Sequence, residues 1–176
     1  MPEIHPEVRL TQDLFSNYSS ARSDWASQAA EDAEFRAGKQ WSDKQVKSLR
    51  ARAQEPLVVN VIHPAVEQAK AMLTANSPRF QSTGRDTSDT KVGRIFSDLM
   101  SWVWDISNGN TELKQCIDDY YVKGMGVMVS YISPDSDFGK GEVYVKSIDP
   151  FSVYFDADSQ DPFCSCLLYT SDAADE

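Results

Sequence analysis

Residues 120–158 read YYVKGMGVMVSYISPDSDFGKGEVYVKSIDPFSVYFDAD, and this stretch decides the fold because it holds the segments most typical of β-strands. A Gly-Met-Gly break at residues 124–126 ends a helical pattern, and β-rich runs follow at residues 127–132 and 142–148, with a turn-rich spacer between them. Residues 151–155 supply a third short β-like segment. Because the chain before this stretch has helical periodicity, we expect an α+β fold in which N-terminal helices pack with a small antiparallel sheet.

The chain upstream of the strands carries repeated amphipathic patterns. After a frayed arm over residues 1–10, we predict helices over residues 11–38, 42–53 and 60–76, a long helix from Thr87 or Ser88, and a last helix from Thr111. A short strand is predicted over residues 79–83. Ser42 and Gln45 form a capping-box pattern, and Asn60 is placed to cap the third helix.

The apolar positions on these helices predict a core. The first helix has a stripe formed by Leu14, Tyr18, Ala21, Trp25 and Ala29. The third helix should bury the side that carries Val61, Ala65, Val66, Ala69, Met72 and Leu73. The last two helices should bury Ile95, Leu99, Val103 and Ile117 between themselves and the sheet.

Composition excludes several functional classes. The chain of 176 residues has no apolar run near the roughly 20 residues of a membrane span, and its first residues lack the pattern of a signal peptide, so we expect synthesis inside the cell and no membrane partner. The net charge of −10 argues against tight binding of nucleic acid, since phosphate binding needs clustered Lys and Arg. The basic run over residues 44–52 is interpreted as a solvated helix face, with anion binding as the alternative.

The last residues, CLLYTSDAADE at 166–176, match a translation of the transposase adapter used in short-read sequencing libraries. We therefore expect residues 166–176 to be a non-biological tail and residues 1–165 to be the incomplete N-terminal part of a longer protein. The alternative is an ordinary polar C-terminus. This tail contains three acidic residues and no basic residue. Without it, the net charge changes from −10 for the whole chain to −7 for residues 1–165.

The sequence contains no convincing active site. His5 and His63 are the only histidines, and neither forms a pattern with a nucleophile and an acid. The cysteines Cys116, Cys164 and Cys166 have neither zinc-site nor disulfide-framework spacing. The Gly-Met-Gly break lacks the third glycine of a dinucleotide fingerprint and is interpreted as a helix stop and strand entry. We expect no catalytic residue, no cofactor and no metal, and therefore no enzyme.

One acidic loop could hold a hard cation. Asp156, Asp158 and Asp161 are clustered carboxylates, but the glycine and the terminal Glu of an EF-hand are absent. A solvated acidic loop is the preferred interpretation.

Several short motifs occur in the order found in one family. They are carried by Phe35, Gly38, Gln40 and Trp41, by Asn60 at a helix start, by Gly124 and Gly126 before the strands, and by Asp149, Pro150 and Asp156 after them. In this order and spacing they resemble the N-terminal half of phage portal proteins of the P22-like class, over roughly residues 14–163.

The resemblance implies a structural subunit of a virion, assembled in the host cytoplasm. Portal proteins of this kind form a dodecameric ring at one capsid vertex, through which double-stranded DNA passes during packaging and ejection and to which the tail attaches. Residues 1–165 would then be the wing region, in contact with capsid and scaffold proteins and with neighbouring subunits, and DNA would pass without tight binding by this segment. The terminase and the tail adaptor would bind regions beyond residue 165.

Two other functions remain open on the sequence. One is a free-standing α+β adaptor or effector domain that binds a protein through exposed aromatic residues. The other is an enzyme whose catalytic half lies outside this chain.

Overall fold

The computed structural model of the chain describes residues 5–84, 89–156, 158–159 and 166–168. The helices are α1 (Pro6–Ala21), α2 (Ser23–Arg36), α3 (Asp43–Ala51), α4 (Ile62–Leu73), α5 (Thr90–Ile106) and α6 (Gly109–Lys123). The strands are β1 (Val127–Ser133), β2 (Glu142–Ile148), β3 (Val153–Phe155) and β4 (Cys166–Leu168). They form two antiparallel two-stranded sheets, β1 with β2 and β3 with β4, which confirms the α+β class.

The chain divides into two compact units. The first unit comprises Met1–Val59 and Asp149–Glu176, and the second comprises Asn60–Ile148.

The first unit begins with two helices where the sequence predicted one. The predicted helix over residues 11–38 starts earlier, at Pro6, and breaks at Arg22, whose φ of −96° and ψ of 1° are not helical. Pro6 suits a helix start because the first turn needs no hydrogen bond from its nitrogen. The predicted frayed arm is therefore wrong for residues 6–10, and residues 1–4 lie outside the described part.

A small core holds the first unit together. Tyr18, Ala29 and Val153 are buried, and Pro150 is fully enclosed. The predicted stripe on the first helix is confirmed for Tyr18 and Ala29, Leu14 and Trp25 are half-buried, and Ala21 is exposed. The third β-like segment starts with a 3₁₀ turn at Pro150–Ser152 and becomes strand β3.

Helix α3 begins where its capping residues predicted. The side chain of Ser42 accepts from the backbone N–H of Gln45, and the Gln45 side chain accepts in return from the backbone N–H of Ser42. This reciprocal arrangement satisfies two backbone donors that the first turn of a helix leaves free. The predicted capping box is confirmed.

The second unit contains α4, α5, α6 and the hairpin formed by β1 and β2. The hairpin register runs from Val127 opposite Ile148 to Ser133 opposite Glu142, so both predicted β-rich runs are confirmed. Helix α5 begins at Thr90, and the predicted starts at Thr87 or Ser88 lie outside the described residues. Helix α6 begins at Gly109, two residues before the predicted start, because Asn108 takes a left-handed conformation that reverses the chain in one residue. The strand predicted over residues 79–83 is wrong, since this stretch has no regular structure.

The predicted core of the second unit is mostly wrong. Ile95 is 65% exposed and Leu99 is 48% exposed, whereas Val103 and Ile117 are half-buried. No residue of α4 is buried, and Met72 is 73% exposed. Helical spacing predicts which side chains share a face, but burial also needs a neighbouring element that covers this face.

In the described part of the chain, no helix combines the length and the apolar character that a membrane crossing requires.

Candidate functional site

Arg22 holds the helices of the first unit to its short sheet. Its terminal guanidinium nitrogens donate to the backbone oxygens of Val153 and Pro150, the latter over 3.2 Å. The guanidinium carbon lies 4.8 Å from the ring centre of Trp25 and 4.4 Å from that of Tyr154. Charge-assisted hydrogen bonds and cation–π contacts of this kind are strongest when they are shielded from water. Arg22 therefore joins the α1–α2 break to the turn that precedes β3.

Aromatic rings surround this arginine, and we call the set of Phe15, Arg22, Trp25, Phe151 and Tyr154 the Arg22 cluster. The ring centres of Phe15 and Tyr154 are 4.7 Å apart, and those of Trp25 and Phe151 are 5.5 Å apart. Burial lowers the pKa of Arg22, and Tyr154 acts in the opposite direction. A guanidinium stays protonated at neutral pH in any case, so the cluster keeps a fixed positive charge.

The sequence did not identify Arg22, which lies within the predicted helix over residues 11–38 and outside its apolar stripe. Its partners lie about 130 residues later in the chain, so no local spacing could have indicated the contact.

The motif residues after β2 build the turn that Arg22 binds. The side chain of Asp149 accepts from the backbone N–H of Phe151 over 3.0 Å, and Pro150 starts the 3₁₀ turn. Further along, the side chain of Asp156 accepts from the backbone N–H of Asp158 over 3.1 Å. Asp149, Pro150 and Asp156 are thus turn-forming residues.

The motif residues after α2 shape a second turn. Gly38 has a φ of +90°, a conformation that favours glycine. The indole nitrogen of Trp41 donates to the backbone oxygen of Leu57 over 3.1 Å. Gly38, Gln40 and Trp41 line a cleft of about 470 Å³, and Phe35 lies half-buried near the end of α2.

The motif residues of the second unit also act locally. The side chain of Asn60 accepts from the backbone N–H of His63 over 3.1 Å and so caps the start of α4. Gly124 ends α6 with a φ of +74°. A Cβ at Gly126 would lie 2.4 Å from the backbone oxygen of Cys116, so only glycine lets the chain pass this close to α6. The prediction of a helix stop and strand entry is confirmed.

The ten motif residues do not form one site. Asn60, Gly124 and Gly126 belong to the second unit and the other seven to the first. The motif residues whose contacts are described above cap a helix, form a turn or pack closely against the backbone.

The hairpin of the second unit has one covered edge. On β2, the backbone N–H of Val145 donates to the hydroxyl of Ser107 over 2.9 Å, and that of Ser147 donates to a carboxylate oxygen of Glu112 over 2.7 Å. Ser107 and Glu112 lie where α5 ends and α6 begins, so helical side chains satisfy an edge that would otherwise be open.

The other edge of the hairpin is open. In an antiparallel pair, residues opposite Val145 and Ser147 must also direct their backbone groups away from the partner strand. These residues are Ser130 and Met128, and Ile132 continues the same edge. None of the three forms a backbone hydrogen bond on this side with any residue that the structure describes.

An ion-paired lysine links α4 to α6. The ammonium group of Lys70 lies 2.7 Å from a carboxylate oxygen of Glu67 and 2.9 Å from one of Asp118. The hydrogen bond to Glu67 raises the pKa of Lys70, burial opposes this change, and the hydrogen bond to Asp118 adds to it.

The second unit also presents an apolar surface. A cleft of about 500 Å³ lies between α5 and the hairpin, where Leu99, Met100, Val129 and Val143 are among its lining residues. Next to it, α5 exposes a row of large apolar side chains, which we call the α5 stripe: Val92, Ile95, Phe96, Leu99, Met100 and Trp102. Such a surface is typical of protein contact rather than of small-molecule chemistry.

The other candidate residues form no reactive cluster in the described part. The ring nitrogen of His5 lies 3.8 Å from an exposed carboxylate oxygen of Glu7, and His63 belongs to the entry of α4. Among the described residues no three His, Cys, Asp or Glu side chains could hold a metal ion, and Asp161 of the acidic loop lies outside them.

Comparison with known proteins gives one result. The family described as phage P22-like portal protein matches residues 12–165, and this range contains all ten motif residues. No curated protein matches the chain significantly. The match covers most of both units, so the chain belongs to the phage P22-like portal protein family, whose members are structural components of the virion.

Proposed function

We propose that residues 1–165 form the wing region of a portal ring subunit, in a ring that conducts double-stranded DNA during packaging and ejection and to which the tail attaches. The observation that carries this proposal is the family match over residues 12–165. The local roles of the motif residues support it, because caps, turns and close backbone contacts belong to a scaffold rather than to a reactive site.

The charge of the chain supports a passive role toward DNA. A conduit must let a polyanion slide, and the net charge of −7 for residues 1–165 (−10 for the whole chain less the three acids of the tail) gives little average attraction for phosphate. The wing would contact capsid and scaffold proteins and neighbouring subunits. The terminase and the tail adaptor would bind regions encoded beyond residue 165.

The tail is part of the same proposal. We infer that residues 166–176 derive from a sequencing adapter, since the family match extends to residue 165; the pairing of β4 with β3 would then not belong to the natural protein. Resequencing of the gene across codon 165 from the source DNA tests this inference. An uninterrupted frame that encodes several hundred further residues with long helical segments is expected, and a stop codon directly after codon 176 would contradict it.

Assembly of the full-length chain tests the ring. We expect closed rings of uniform size by light scattering and negative-stain microscopy. Residues 1–165 alone should stay monomeric or form irregular small oligomers, because a ring closes only when each interface fixes the rotation between subunits. Trp41 and Trp102 are exposed and are expected to make those irregular contacts, whereas Trp25, which the sequence also suggested, packs in the Arg22 cluster. A strictly monomeric full-length protein under assembly conditions would argue against the portal role.

The α5 stripe favours one second function, a protein-binding adaptor domain outside any ring. The gene neighbourhood separates the two. A terminase gene upstream and a coat or scaffold gene downstream are expected for the portal, whereas an adaptor would lack both.

A further inference from the structure

We propose that neighbouring subunits join head to tail by β-strand addition, in which residues 56–60 of one copy pair with the open edge of β1 in the next copy. The inference rests on the proposed ring and names the contact between its subunits. It starts from an extended stretch that forms no sheet in the described part of the chain and from the edge of β1 that faces away from β2.

Residues 56–60 have the pattern of a strand without a sheet. Leu57 is 79% exposed and Val59 is 70% exposed, whereas Pro56, Val58 and Asn60 are half-buried. This alternation is typical of a strand with one face packed, and Val is among the residues that favour strands. The stretch nevertheless has no regular structure.

The backbone of this stretch is available for pairing. The oxygen of Leu57 is bound by the Trp41 indole, and the nitrogen of Leu57 donates to the oxygen of Glu55. Val58 and Val59 form no hydrogen bond with any described residue. In an extended chain Val58 directs its backbone groups to the side opposite that of Leu57, so the side away from Trp41 is free.

The β1 edge offers the matching groups. Met128, Ser130 and Ile132 direct their backbone donors and acceptors away from β2, and helical side chains cover only the β2 edge. β1 has seven residues, enough for a stretch of five at about 3.3 Å per residue. An uncovered strand edge is a ready template for another chain, and strand addition is a common mode of recognition.

Charge complementarity selects a copy of this chain as the partner and sets the strand direction. Helix α3 precedes the stretch, and its basic residues Lys44, Lys47, Arg50 and Arg52 form no ion pair with a described residue. The turn after β1 and the first residue of β2 carry three acids, Asp135, Asp137 and Glu142, and one base, Lys140, in the sequence. Antiparallel addition places the basic helix of one copy near this acidic turn of the next. Parallel addition would place it near the end of α6, where Asp119 is already paired with Lys123 over 2.8 Å and Asp118 with Lys70 over 2.9 Å.

The contact joins two different surfaces, one from each copy. Such a heterologous contact repeats in one direction and generates a ring when its rotation closes. Pairing of residues 56–60 with the same residues of another copy would give only a two-fold dimer.

Cysteine cross-linking of the full-length chain tests the proposal. One preparation carries Val59→Cys, and three others carry Val127→Cys, Val129→Cys or Tyr131→Cys, the β1 positions that can lie opposite Val59 when Val58 pairs with an outward-directed residue of β1. After mild oxidation, a mixture of Val59→Cys with at least one of the three should give a disulfide-linked dimer at least tenfold above the mixture with Lys146→Cys. Lys146 lies on β2, one strand further away, where the Cα separation exceeds the reach of a disulfide. The parent chain and each variant alone provide the background, and Leu57→Cys repeats the test at a second exposed position.

Ring formation by the same preparations is scored by negative-stain microscopy. Rings with the expected cross-links support both the contact and the portal function. If rings form but neither Val59→Cys nor Leu57→Cys cross-links to any of the three β1 cysteines, the proposed contact is wrong and the portal function is unaffected. Cross-links without rings support the contact and count against the portal function, and the absence of both overturns both. Dimers from Val59→Cys alone would overturn the head-to-tail arrangement.

Discussion

The apolar stripe predicted on the first helix and the α5 stripe of the second unit begin from the same kind of sequence pattern and end in different environments. Both derive from apolar residues at helical spacing. In the first unit Tyr18 and Ala29 are buried, and Arg22 anchors the helices to Val153 and Pro150. In the second, Ile95 and Leu99 remain in contact with solvent. The apolar pattern is of the same kind in both units, so burial depends on which elements of the chain cover each stripe.

Replacement of Arg22 should have the largest effect on stability among the variants that test this comparison. Arg22→Ala removes two charge-assisted hydrogen bonds and leaves the Val153 and Pro150 oxygens without their partner, so the free energy of unfolding should fall by about 2–4 kcal/mol. Urea titration followed by tryptophan fluorescence measures this change, since Trp25 lies in the cluster. Arg9→Ala, at an exposed position of α1, is the control and should change stability by less than about 0.5 kcal/mol. Equal effects of the two variants would show that Arg22 is not an anchor.

A second variant tests how tightly the first unit is packed. Ala29 is 2% exposed, so Ala29→Leu should force side chains apart and cost about 1–3 kcal/mol. Its neighbour Ala30 is exposed, and Ala30→Leu should be nearly neutral in the same titration. A tolerated Ala29→Leu would mean that α2 has space on its inner face and that the core is looser than the burial indicates.

The α5 stripe should respond weakly to the same kind of change. A fully buried leucine loses about 2–5 kcal/mol when shortened to alanine. Leu99 is half exposed, so Leu99→Ala should cost less than about 1 kcal/mol in the isolated chain, and Val153→Ala should cost more. A loss above about 2 kcal/mol for Leu99→Ala would show that the stripe is covered in solution.

The second unit has its own polar anchor, the ion pairs of Lys70 with Glu67 and Asp118. We expect its loss to have a smaller effect on stability because these side chains are partly solvated. Lys70→Met should lower the free energy of unfolding at pH 7 by less than about 1 kcal/mol. The folded-state pKa of Lys70 is raised above its ordinary value of 10.5, so its contribution is complete below that value and disappears as the pH rises through the folded-state pKa. The free energies of unfolding of the parent chain and of Lys70→Met should therefore differ at pH 8 and become equal above pH 11. A difference that persists there would assign the effect to packing of the lysine side chain.

The smallest expected effect concerns α3, whose basic side chains belong to neither region. We predict that residues 1–165 show no specific duplex DNA binding at physiological salt, because the net charge without the tail is −7, three units above the −10 of the whole chain. Fluorescence anisotropy with a labelled duplex measures this. Micromolar binding that weakens steeply with salt and is lost in the Lys47→Ala, Arg50→Ala, Arg52→Ala triple variant would identify α3 as a DNA contact.

Local chemistry made part of this fold predictable. The β1 and β2 runs follow from their β-branched residues, the α3 start from the Ser42 and Gln45 pair, and the α6 end from Gly124. All of these depend on residues within a few positions of one another.

The features that sequence reasoning missed depend on distant contacts. At the break between α1 and α2, Arg22 donates hydrogen bonds to backbone oxygens of Val153 and Pro150, about 130 residues later in the chain. Glycine is required at Gly126 because the backbone of Cys116 lies so close. The exposure of Ile95 and Leu99 likewise depends on which elements reach α5. The motif residues could be selected by order and spacing, but their roles as caps and turns became visible only from their hydrogen bonds.

The close passage of Gly126 over Cys116 gives the protein a built-in chemical probe. Burial raises the pKa of the Cys116 thiol, so the reactive thiolate is scarce at neutral pH. A thiol reagent should therefore modify Cys116 mainly when α6 and the entry of β1 separate. With Cys164 and Cys166 replaced by serine, the alkylation rate would report local opening of the second unit, whereas tryptophan fluorescence combines Trp25 and Trp41 of the first unit with Trp102 and Trp104 of the second.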